Sequence, residues 1–112
     1  MAKDDFHVIA YRILRYLYEC LKKGQDPDIG LITAKKYEIN ERYFQTIICE
    51  LHENGYISGA VAVPMINVNY TPYKITSSIS ITMKGIEYLT DNSFMAKAQQ
   101  FFKMTKDSVP FI

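Results

Sequence analysis

A chain of 112 residues with thirteen basic and twelve acidic side chains, net charge +1, is one domain, large enough for a modest core without disulfide staples. That balance singles out neither nucleic acid, membrane surface nor acidic substrate as a partner. No apolar run is long enough to span a bilayer, and the opening MAKDDFHVIAYR, one lysine then two aspartates with no small-residue cleavage site, does not read as a secretory signal.

Asp4 to Lys23 is expected to form one amphipathic helix, because Phe6, Ile9, Ile13, Leu14, Leu17 and Leu21 recur at helical steps. Asp4 and Asp5 suit the positive end of its dipole and Lys22 and Lys23 the negative end. Gly24 stops it, since glycine takes the left-handed C′ conformation at no steric cost. Tyr11, Tyr16 and Tyr18 widen the stripe and imply cover on more than one side. Gln25 to Gly30 reads as a turn, with Asp28 free to cap the next segment and Ile29 as a strand stub beside a later hairpin. A short helix is expected from about Leu31 to Tyr37.

Asn40 is an N-cap for the next helix, with Ile39 and Phe44 at hydrophobic-staple spacing and Glu41 in the first turn. Phe44, Ile47, Ile48 and Leu51 form its buried stripe, and Gly55 ends it. Tyr56 to Val63 alternates, with Ile57, Val61 and Val63 expected on one face and Ser58, Ala60 and Ala62 on the other. Lys74 to Ile81 alternates again, with Ile75, Ile79 and Ile81 against Thr76, Ser78 and Ser80. The connection PMINVNYTPY is a long hairpin tip. Thr82 caps a helix from Met83 to about Thr90, with Ile86 and Leu89 inward. Ser93 caps a last helix, roughly Phe94 to Lys106, whose apolar positions are Met95, Ala98, Phe101, Phe102 and Met104. Beyond it the tail ends on Phe111 and Ile112.

Three segments together resemble the YjcQ-like family, small winged-helix proteins of Gram-positive bacteria and their prophages. They are YRILRYLYECLKKG (Tyr11 to Gly24), INERYFQTIICELHENGYISG (Ile39 to Gly59) and ITMKGIEYL (Ile81 to Leu89). The likeness covers about Phe6 to Asn92. Its LxxxGYI and ITxKGxxYL pieces are shared by many winged helices and specify fold more than family. The resemblance implies a winged helix-turn-helix, mostly α with a small β-hairpin and here an extra C-terminal helix, in a cytoplasmic protein. It brings no catalytic or ligand-binding motif. Residues 1–92 are then the winged-helix domain, and 93–112 a C-terminal helix and tail packed on it or mediating dimerisation.

Cys20 and Cys49, the only cysteines, sit at helical, largely apolar positions outside any CxxC. They read as free thiols in a reducing cytoplasm. His7 and His52 have no metal-ligand spacing around them. Neither a nucleophilic triad nor a glycine-rich phosphate loop is present in the sequence, so neither an enzyme nor a cofactor is expected.

If the helix pair binds duplex DNA, the helix Glu41 to Asn54 enters the major groove. Arg42, Gln45 and Thr46 then reach bases, while Lys35, Lys36 and Lys74 hold phosphates. Against this, the same helix carries Glu41, Glu50 and Glu53, and the hairpin tip from Pro64 to Tyr73 is uncharged. DNA affinity is dominated by the phosphate term. A transcriptional regulator of phage or host genes is the first reading. The alternative is a protein-interaction winged helix that contacts its partner through the wing (Tyr70, Tyr73) or the C-terminal helix and tail (Phe101, Phe102, Phe111, Ile112). The surplus of apolar residues in that helix leads us to expect one side on the first helix and the other on a second copy, as a homodimer.

Overall fold

The computed structural model describes residues 2–105. Helix α1 (Phe6–Lys23) is followed by a 3-10 turn (Ile29–Leu31), α2 (Ala34–Tyr37), α3 (Glu41–Glu53), strands β1 (Ile57–Ala62) and β2 (Tyr73–Ile81), α4 (Met83–Asp91) and α5 (Ser93–Thr105). This is the expected mostly α architecture with a small wing-like hairpin and an added helix.

Helix α1 is the centre of the core and touches α3, α4, α5 and β2. Its Val8, Ile9, Ile13, Leu14 and Leu17 are almost wholly buried. Gly24 takes φ 65°, and the Gln25 amide returns to the Cys20 carbonyl at 2.9 Å, the double closure that glycine at C′ permits. Leu21 departs from the expected stripe. It is half exposed, because it lines an open cavity of about 280 Å³ under Gly24–Pro27 and Ser77–Ser80 instead of a packed neighbour. Ile29 is not a strand stub. The Asp28 carboxylate accepts the Gly30 amide at 2.9 Å and tightens the segment into the 3-10 turn. Thr33 is extended and caps Lys36, so the helix expected from Leu31 begins only at Ala34.

The link between α2 and α3 is a single tight turn. Glu38 stands at φ 59°, a left-handed position where most side chains are disfavoured. Asn40 then caps α3, its side-chain oxygen accepting the Tyr43 amide at 2.8 Å. Phe44, Ile47, Ile48 and Leu51 are buried as their spacing requires.

Strands β1 and β2 pair antiparallel, but not in one register. Ser58 faces Ser80 while Ala60 faces Ile75, so Gly59 alone stands opposite Thr76 through Ile79. Gly59 has φ 87°, and a Cβ there would lie 2.6 Å from the Ile79 Cα, an approach that only glycine permits. The Thr76 hydroxyl closes the irregularity by donating to the Gly59 carbonyl at 2.7 Å. The alternation of β1 is thereby shifted by one. Ala60 points inward, and Val61 and Val63, expected beside Ile57, are 52% and 42% exposed.

At the hairpin base the GYI and ITMKG segments lock together. The Thr82 amide donates to the Tyr56 carbonyl at 3.0 Å, and the Thr82 hydroxyl donates to the Gly55 carbonyl while accepting the Gly85 amide. Gly85 is buried against the Tyr56 carbonyl, where a Cβ would overlap the oxygen. Asn92, not Ser93, caps α5: its side-chain oxygen accepts the Phe94 amide at 2.8 Å, which makes Ser93 the first helical residue. Met95 and Ala98 are fully buried and α5 packs on α1 and α4. Phe102, expected at a partner surface, is buried with its ring 6.1 Å from Tyr11. Phe101 is half buried against the same core. Phe111 and Ile112 lie outside the described residues.

Candidate interaction surface

Two exposed regions stand side by side, the outer strip of α3 and the hairpin. On α3 the strip through Gln45, Cys49 and Glu53 recurs every four residues, so it forms one line along the helix. That line is already occupied by the hairpin. Gln45 is 8% exposed; its carbonyl oxygen accepts the Tyr73 amide at 2.7 Å and its amide nitrogen donates to Glu41 at 2.8 Å. Further along, the Tyr73 hydroxyl donates to Glu53 at 2.9 Å and accepts the Cys49 thiol at 3.9 Å, and the His52 ring lies 5.1 Å from the Tyr73 ring. The hydrogen bond from Tyr73, and after it His52, holds the Glu53 carboxyl below its ordinary value. In return, Glu53 pushes the Tyr73 phenol up. Gln45, expected to read bases, is therefore a corrected assignment: it holds β2 against α3. Tyr73, expected at the partner surface, is buried in the same contact.

What α3 leaves exposed is Glu41 at its start, then Arg42, Thr46 and Glu50, again four apart, with Glu53 at its end. The Thr46 hydroxyl donates to the Arg42 carbonyl at 3.0 Å. The Arg42 guanidinium stands 5.6 Å over the Tyr70 ring, a cation–π contact that draws it toward the hairpin tip. Lys35 is exposed and Lys36 half buried on α2. Lys74 is exposed too, but adjacent residues of a strand point to opposite faces. Tyr73 faces α3, so Lys74 faces away from it. The six expected DNA contacts thus divide: Lys35, Lys36, Arg42 and Thr46 belong to the α2–α3 end, while Gln45 is buried and Lys74 lies on the far face of the hairpin.

Apart from Lys74, the hairpin is uncharged, and its tip carries an apolar cluster. No charged residue occurs from Asn54 through Tyr73. Val61, Val63 and Met65 are about half exposed and Ile66 is fully exposed. None of these four is a contact residue on the sequence reading, although the run VAVPMI, flanked by no charge, is the available signal. The expected alternation places Val61 and Val63 inward.

The edges of the two-stranded sheet also differ. Val63 donates its amide to the Pro72 carbonyl at 2.8 Å, so by the alternation of an antiparallel ladder the Ala62 amide and carbonyl point away from β2. On the other strand the outward-pointing Tyr73 amide is taken by Gln45. The edge of β2 is covered there, whereas no strand pairs with the outer edge of β1 among the described residues. Among the described residues no three His, Cys, Asp or Glu side chains are grouped to hold a metal ion, and no helix is long and apolar enough to cross a membrane.

A protein-family model described as YjcQ protein matches residues 11–108. No curated protein and no solved structure matches the chain.

Proposed function

We propose that this chain, which belongs to the YjcQ family, is a winged-helix interaction module whose contact element is the hairpin and whose partner is protein. The observation that carries the reading is the hairpin tip: Val61, Val63, Met65 and Ile66 are exposed within a stretch of chain that bears no charge. A wing laid on DNA needs donors for phosphate oxygens; the tip of this one offers no cationic side chain, and Lys74, at the start of β2, faces away from α3. An exposed apolar cluster is instead the composition of an interface core, where charge is depleted and contact area is apolar. The acidic Glu50 and Glu53 on the outer strip of α3 favour the same partner, since each would face phosphate repulsively.

A second reading, a DNA-binding regulator, draws on Lys35, Lys36, Arg42 and Thr46 at the end of the helix pair where the Asn40 cap stands. Gel retardation with pooled duplexes at low salt separates the two. The expected result is no retarded species from well-folded protein. Retardation that Lys35→Ala and Lys36→Ala weaken for all sequences, and Arg42→Ala for a preferred one, would overturn the protein reading.

A further inference from the structure

We propose that the hairpin's partner is a second copy of this chain, joined antiparallel along the outer edge of β1 about a two-fold axis at Ala62. The proposal rests on the reading of the hairpin as a protein-docking element and names its occupant.

The edge determines the kind of occupant. The Ala62 amide and carbonyl both point away from β2, and Ala62 is exposed. Groups so placed take an extended strand, because only a strand offers a carbonyl and an amide at the same spacing. Natural sheets guard such an edge with charge or cover it. Here the β2 edge is guarded by Gln45 on the Tyr73 amide, whereas β1 carries no charged residue along its whole length. Pro64, two residues beyond Ala62, limits the ladder to a short stretch instead of leaving it open to indefinite growth.

The sequence of the edge suits its own copy. A two-fold axis sets each strand against itself reversed, so any charge near the axis meets the same charge on the partner. From Asn54 through Tyr73 there is none. With Ala62 on the axis, its amide donates to the carbonyl of the partner's Ala62, and its carbonyl accepts the reciprocal bond. Val61 then stands opposite the partner's Val63, and Val63 opposite the partner's Val61. These two valines are the exposed pair on the outer face of the hairpin, put there by the register shift at Gly59. Met65 and Ile66, next along the chain, extend the apolar seam. The contact is small beside standard interfaces, so the dimer is expected to form reversibly with concentration.

Sedimentation of the intact chain over the micromolar range is the test. The weight-average mass should rise from the 13.0 kDa of one chain toward twice that value. Two variants locate the contact. Val61→Lys replaces a seam valine by an ammonium set beside Lys74, its register partner on β2, and Ala62→Pro removes the edge donor without touching the bonds to β2. Both should stay at one chain mass at every concentration, with Val61→Lys keeping the parent's thermal midpoint as proof of folding. A dimer indifferent to Val61→Lys overturns the proposal by placing the contact elsewhere, α5 included. A chain that stays monomeric throughout also overturns it. That outcome leaves the protein-docking reading standing with a different strand as occupant, because the docking reading falls only if the chain retards duplex DNA through Lys35, Lys36 and Arg42.

Discussion

Gly85→Ala is expected to destabilise the domain by roughly 3 kcal/mol, the upper end of ordinary overpacking costs. Intrinsic helix propensity argues the opposite sign, since alanine in a helix is better than glycine by about 1 kcal/mol. Contact overrides propensity here. A Cβ on Gly85 overlaps the Tyr56 carbonyl oxygen and stands 2.7 Å from the Ile81 Cγ1. The carbonyl cannot retreat freely, because it accepts the Thr82 amide at 3.0 Å, and Thr82 also binds Gly55 and caps Gly85 itself. Moving α4 outward breaks the lock between the end of α3, the hairpin base and the start of α4. Urea denaturation of the variant measures the loss. A cost below about 1 kcal/mol would mean that the helix can shift without breaking these bonds.

Leu51→Ala is expected to cost on the order of 2–5 kcal/mol as a cavity substitution. Leu51 is 2% exposed, belongs to the main core cluster and lies on the last turn of α3, just before the hairpin that packs on it. The site has little room to collapse, because the Leu51 carbonyl is held by the Tyr56 amide at 2.9 Å and fixes the chain as it leaves the helix. Denaturant titration reads the effect directly; a loss under about 0.5 kcal/mol would place the buried stripe of α3 on another face.

Local chemistry made most of the fold legible. The Asn40 cap, the glycine stops at Gly24 and Gly55 and the Thr82 cap depend on neighbouring residues, and each stands where spacing and side-chain type placed it. The misreadings are tertiary. Ile75, Ile79 and Ile81 share one phase of β2, and that shared phase hides the extra residues opposite Gly59. The local signs of an irregularity are Ser77 in the apolar phase and a glycine inside β1. That one shift turned Val61 and Val63 from expected core into exposed surface. Gln45 has the helical phase of an outward residue, and only the distant Tyr73 amide shows that it is buried. Leu21 has the phase of a core residue, but a cavity lies where its neighbour was expected. Asn92 and Ser93 are both good caps, and their order along the chain did not decide between them.

The surface was less legible than the fold for a physical reason. Net charge near zero leaves the choice of partner to the arrangement of a few side chains, and that arrangement depends on strand phase and on which helix face the hairpin covers. Once β1 is shifted and Tyr73 is laid along α3, the cationic groups separate and the apolar ones gather at the hairpin tip.

Where on the protein contact falls is measured most directly by amide-resolved NMR of the labelled intact chain, first over a concentration series and then with pooled duplex DNA at low salt. The amides of Val61, Ala62, Val63, Met65 and Ile66 are expected to move with concentration, while those of Lys35, Lys36, Arg42 and Thr46 stay in place when DNA is added. Movement of those four on adding DNA, with an unresponsive hairpin, would contradict that expectation and return the helix pair to the role of a DNA reader.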